Sequence, residues 1–152
     1  MNTPQLEFVC EINVKVAKPY DIGNTGTGIR KVIPLLDGTF KGPLLQGIIL
    51  PGGADSQLIK ENEVADINAR YVLQTNDGVL IYLSNTGIRV ASTGVLKKLS
   101  AGEIVNEDAY YFRTVPVFET SNEKYSWLMK SLFIAKGIRN PDNVVIQVWK
   151  VL

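Results

Sequence analysis

Apolar and polar side chains alternate with period two in one segment of this chain after another, and short turn sequences separate the segments. Val64–Thr75 is the clearest case: Ala65, Ile67, Ala69 and Tyr71 alternate with Asp66, Asn68 and Arg70. Leu6–Val16 alternates too, Gly28–Leu36 is rich in β-formers, and Leu44–Leu50 is an apolar run closed by Pro51-Gly52-Gly53. Asn76-Asp77-Gly78 turns the chain into Val79–Ser84, and Asn85-Thr86-Gly87 turns it again into Ile88–Ser92. Tyr110–Glu119 follows. Ser131–Arg139 and Val144–Leu152 then flank the turn Asn140-Pro141-Asp142-Asn143. About eight to ten strands stand against two short helix candidates, Val95–Ala101 and Asn122–Lys130, the second with Ser121 as its N-cap. The pattern predicts one all-β domain over residues 1–152, a closed antiparallel barrel of about eight strands with a polar-tinged interior. A β-sandwich is the alternative.

A chain of 152 residues buries roughly 70% of the surface its unfolded form exposes, so it needs no disulfide or metal staple. Sixteen Lys and Arg stand against fifteen Asp and Glu, a balance that supplies no long-range field for nucleic acid. Histidine is absent, which removes the commonest general base and the commonest metal ligand. Neither a metal site nor a cofactor is expected. The single cysteine, Cys10, lies on an alternating strand and reads as a small core residue. No secretory signal and no membrane-length apolar run is visible, so a cytoplasmic protein is expected.

Gly23-Asn24-Thr25-Gly26-Thr27-Gly28 has the glycines of a phosphate loop but leads into Ile29-Arg30-Lys31-Val32-Ile33, a strand rather than a helix, and reads as a connection. Gly52-Gly53-Ala54-Asp55 reads as a bulge that bends a strand around the barrel, with Asp55 at the rim. Arg70, near Asn68, and Arg113, six residues before Glu119 on the same face, are the strand-held arginines suited to a carboxylate or phosphate. Internal ion pairs, Arg113 with Glu119 or Arg70 with Asp66, explain them equally well. Trp127, on the second helix candidate, could wall off a pocket at one barrel end. The stretch Ser100–Ala109 reads as a solvated crossover or a lid.

Gly28-Ile29-Arg30, Phe40-Lys41-Gly42-Pro43, Leu50-Pro51-Gly52-Gly53-Ala54-Asp55, Ala69-Arg70-Tyr71, Thr75-Asn76-Asp77-Gly78, Tyr111-Phe112-Arg113-Thr114 and Phe118-Glu119-Thr120 follow one another along nearly the whole chain. This series resembles a family of small bacterial and fungal proteins known as a domain of unknown function. The resemblance implies a closed antiparallel barrel with a short helix near the C-terminus, and passes on no catalytic residue. Such sequences often have an Asp-Gly turn after the Gly-Gly-Ala-Asp motif, where this one reads Lys60-Glu61-Asn62-Glu63.

Two functions are compatible with these residues. One is a barrel that binds a small anionic or polar organic molecule through Arg70, Arg113, Asn68 and Trp127. The other is a histidine-free enzyme, a cyclase, isomerase or hydrolase with Asp55 and Glu119 as acid and base. Both faces of Val144–Leu152 are apolar, so a homodimer through the outer face that carries Trp149 is also expected.

Overall fold

A computed structural model describes residues 1–152. Nine strands form one antiparallel sheet: β1 (Leu6–Val16), β2 (Tyr20–Asn24), β3 (Ile29–Lys41), β4 (Gly47–Ile59), β5 (Val64–Thr75), β6 (Leu80–Val90), β7 (Tyr111–Glu119), β8 (Phe133–Arg139) and β9 (Asn143–Val151). Their order is β1-β9-β8-β7-β6-β5-β4-β3-β2, and β1 also pairs with β3. That extra pairing closes β1 and β3–β9 into an eight-stranded barrel and leaves β2 as a flap on β3. Closure removes the open edges that an isolated sheet would present.

Alternation settles which side chains face inward. Ala65, Ile67, Ala69, Tyr71 and Leu73 of β5 are buried, as are Phe112, Thr114 and Phe118 of β7. The lower half of the barrel is a solid apolar core. Phe118 meets Phe133 edge-on at 5.0 Å, with Leu73, Ile81, Leu83 and Val148 around them. A 3-10 segment, Glu123–Met129, plugs this lower end with buried Leu128. Its cap is Asn122, not Ser121, and it is tied down by Asp77, which accepts hydrogen bonds from Lys124 Nζ, Tyr125 OH and Thr75 Oγ1 at 2.8, 2.7 and 2.6 Å. Asp77 therefore does more than shape its turn; these donors hold its carboxyl below the usual carboxylate range.

At the upper end, Ser92 caps helix α1 (Thr93–Ser100), which buries Leu99. No helix is long and apolar enough to cross a membrane.

Several expected boundaries move. Asn85-Thr86-Gly87 is not a turn: β6 runs unbroken through it, Asn85 facing inward and fully buried. Gly87 fits there because a Cβ would lie 2.2 Å from the Arg113 carbonyl oxygen. Nor does Pro51-Gly52-Gly53 end a strand. It is a bulge within β4, with Gly52 at φ +111° and the three residues standing opposite Tyr71. A second bulge, at Val9 in β1, buries Val9 and Cys10 together and turns Leu6 and Phe8 outward. Burial pushes the Cys10 thiol up to about 12, as suits a core residue.

Candidate functional site

Polar groups gather in the upper half of the barrel. Asp55 and Gln57 come from β4, Asn85 and Arg89 from β6, and Arg139 from the end of β8. With Tyr71 and apolar residues such as Val14, Leu35, Phe112 and Ile146 they line an inner chamber of about 30 Å³, room for little more than a water molecule. Ile33, Gln57, Arg89 and Arg139 form a throat from this chamber into a vestibule of about 340 Å³. Lys18, Lys31 and Asp21 line the vestibule wall, and Leu96, Leu99 and Ser100 of α1 roof it.

The polar groups are linked. Gln57 Nε2 donates to Asp55 Oδ2 at 2.8 Å, the Asn68 backbone N–H donates to Asp55 Oδ1 at 3.1 Å, and Arg89 Nη2 donates to Gln57 Oε1 at 3.5 Å. Arg139 is placed by its backbone N–H, which donates to the Tyr110 phenol oxygen at 2.9 Å. Satisfaction is incomplete: Nε of Arg89, Nε of Arg139, Oδ1 of Asn85 and Oγ1 of Thr114 are buried without a hydrogen-bond partner. None of the four ion pairs in the molecule includes either arginine.

Burial raises the Asp55 carboxyl above its ordinary value, and the bonds from Gln57 and Asn68 and the charges of Arg89 and Arg139 offset only part of that. Burial, with the Arg139 charge, pushes Arg89 down to about 10, still fully charged at neutral pH. Arg139 shifts down for the same first reason, burial. Across throat, chamber and vestibule, four cationic side chains stand against two carboxyl groups.

The raised Asp55 value fixes a pH dependence. At pH above 3.8 the unfolded chain releases this proton while the folded barrel still holds it. Stability from Asp55 is therefore complete below that pH and is lost as pH rises through the folded-state value. Asp55→Asn removes the loss. The melting-temperature difference, variant minus wild type, should grow with pH from the ordinary carboxylate range upward and then level off. A difference that is flat with pH, measured by circular dichroism, would show that Asp55 ionises normally.

Of the residues singled out in the sequence, Asp55 alone turns its side chain into this cavity. Arg70, Arg113 and Glu119 are exposed on the outer face. Arg70 Nε donates to Asn68 Oδ1 at 3.4 Å, while Asp66 pairs with Lys60 instead, at 2.9 Å. Arg113 lies 5.0 Å over the Tyr111 ring and is not paired with Glu119. Asn68 reaches the site only through its backbone N–H. Trp127 packs on Phe133 at 6.1 Å, at the plugged end opposite the vestibule. The side chains of Arg70, Arg113, Asn68 and Trp127, expected to bind a ligand, thus do not converge on this cavity. Alternation marks two faces, and burial of the apolar one puts the polar one outside. Gln57, Arg89 and Arg139 are not among those candidates, and Asn85 lies in a sequence that reads as a turn. Yet Arg139 follows Phe133, Ala135 and Gly137 on one face, and Arg89 shares the face of Ile81 and Leu83 once β6 is read as continuous.

A closed barrel with a solid lower core, with two arginines at the throat of a roofed vestibule and one carboxyl in the chamber behind it, defines a class of small cavity-bearing β-barrels. Within that class the chain belongs to the family described as "Protein of unknown function (DUF3237)", whose model matches residues 4–151. The chain is 43% identical to UPF0311 protein RPA1785 of Rhodopseudomonas palustris over 152 residues, 99% of each chain. The crystal structure of RPA1785 superposes with a TM-score of 0.93, covering 100% of this chain and 99% of that one. A β-barrel-like protein from Acinetobacter baumannii superposes at 0.86 with 37% identity, covering 100% and 98%. More distantly, the hydroalkoxylation enzyme phnH of Penicillium herquei is 26% identical over 125 residues, 82% of this chain and 68% of the fungal protein.

Proposed function

We propose that the protein binds a small organic anion in the vestibule, its charged group seated on Arg89 and Arg139 at the throat. One observation carries this reading: two guanidinium groups converge on a cavity, each with a buried Nε that no protein atom satisfies, and a single carboxyl of raised pKa opposes them. Charge held this way costs free energy, and a carboxylate or phosphate at the throat would supply the anionic partner that neither guanidinium has in an ion pair. A volume near 340 Å³ suits a molecule of metabolite size, and Ile33, Ile59, Leu96 and Leu99 suit an apolar body behind the charged head.

A second reading places acid–base chemistry in the same site. It is favoured by the position of Asp55, a carboxyl of raised pKa facing the cavity and linked through Gln57 to Arg89. The likeness to a hydroalkoxylation enzyme points the same way. Adding a hydroxyl across a carbon–carbon double bond forms one C–O and one C–H bond. One proton leaves oxygen and one reaches carbon, with no oxidant or reductant. Asp55 could relay that proton while the arginines stabilise developing negative charge.

A single screen tests both. Carboxylates, phosphates and phenolic acids are scored by thermal shift, and each hit is then followed by NMR for conversion. A ligand at about a hundredfold over its Kd should stabilise by about 2.7 kcal/mol. Arg139→Gln should remove that shift, and hits indifferent to this change would place the site elsewhere. Conversion that Asp55→Asn abolishes, with binding retained, would carry the second reading; unchanged ligand would leave binding alone.

A further inference from the structure

The outer wall of β7, β8, β9 and β1 carries two continuous rows of apolar side chains. In the first, Phe8 stands beside Trp149, its ring edge-on at 5.7 Å, and Trp149 stands beside Ile134. The β7–β8 register, which pairs Thr114 with Ala135, puts Val115 next in that row. The second row lies two residues further along and reads Leu6, Val151 and Leu132, and Val117 continues the outer face of β7 beyond the short β7–β8 ladder. Leu132 is 75% exposed and Val117 59%. Strands about 4.8 Å apart make this patch roughly 15–20 Å wide. The outer face of β5, by contrast, carries Asp66, Asn68, Arg70 and Gln74.

Next to the apolar rows, on the vestibule side, lies a charged row of opposite signs at its two ends. Arg113 and Lys136 stand on β7 and β8, Gln147 and Glu11 on β9 and β1. We propose that this wall is the interface of a twofold-symmetric dimer, the occupant being a second copy of the chain. Consider a twofold axis parallel to the strands, running between β8 and β9. It sets β7 of one copy against β1 of the other, and β8 against β9. Val115 then meets Phe8 and Ile134 meets Trp149, while Arg113 falls opposite Glu11. The wall is thus complementary to itself in both hydropathy and charge, as an isologous contact requires. Two sheets packed face to face in this way are a sandwich made between molecules.

The test is the mass in solution and its response to charge reversal. Light scattering and sedimentation of the full chain at micromolar concentration should give twice the 16.8 kDa chain mass. Ile134→Glu, and separately Val117→Lys, should each give monomer with a wild-type circular dichroism spectrum, since both side chains are outside the barrel. Glu11→Arg should weaken the dimer at least tenfold, and Glu11→Arg combined with Arg113→Glu should restore it. A wild-type monomer, or a dimer indifferent to both Ile134→Glu and Val117→Lys, would overturn the proposal. Failure of the double reversal to restore association would overturn the twofold arrangement.

Discussion

Arg89→Met should yield a more stable protein with much weaker affinity for the proposed organic anion. The guanidinium is buried, its pKa pushed down to about 10 by burial and by Arg139, and its one side-chain hydrogen bond, to Gln57, is long at 3.5 Å. Little in the barrel repays the desolvation, because Asp55 contributes only longer-range attraction and Nε has no acceptor. Replacing a buried, poorly paired charge by an apolar chain of similar volume stabilises typically by about 1–4 kcal/mol. The same change removes a charged donor from the anion and should weaken binding roughly 100-fold, since a buried charged hydrogen bond is worth about 2–5 kcal/mol. Urea unfolding and calorimetric titration of the Arg89→Met protein measure the two effects. If the variant is instead destabilised as a core deletion would be, the arginine is a structural strut and the binding assignment fails.

Gly38→Ala should cost about 3 kcal/mol or more, the upper end of what overpacking does. Gly38 lies where β1 pairs with β3, opposite Val14, and this seam alone closes the barrel. A Cβ there would lie 2.1 Å from the Asn13 carbonyl oxygen and 3.0 Å from the Val14 Cα. Both are backbone atoms, so relief requires the two strands to part. Hydrogen exchange should show the β1 amides opening first. Gly94→Ala in α1 is the control: its added methyl meets open space, and a helical Gly→Ala change typically adds about 1 kcal/mol or less. A Gly38→Ala protein as stable as wild type would mean that the seam is not tightly closed.

The barrel was legible in the sequence because period-two alternation survives local irregularity. Val64–Thr75 matches β5 to the residue, and the Gly52-Gly53 bulge follows from two adjacent glycines after an apolar run. The flap β2 was not legible: Tyr20-Asp21-Ile22-Gly23-Asn24 is short, glycine-containing and exposed on both faces. The site was legible only at Asp55. Arginines are conspicuous where they alternate with apolar residues, as Arg70 does, but that is the arrangement that places them outside. Arg89 and Arg139 replace an apolar residue in phase with the core, and only the pairing of β6 with its neighbours fixes that phase. Likewise the charged row beside the apolar wall draws its members from four strands, a neighbourhood that linear spacing does not encode.

The plug at one end and the cavity at the other divide the labour of the barrel. Phe118, Phe133 and Leu128 belong to the apolar cluster that holds the strands together, and none of Gln57, Arg89 and Arg139 is a member of it. Changes at Gln57, Arg89 or Arg139 can therefore accumulate with little penalty in folding, so under the proposed anion-binding role the chemistry at the throat is free to diverge on a constant scaffold. The same separation makes the throat a practical place to install new side chains by design.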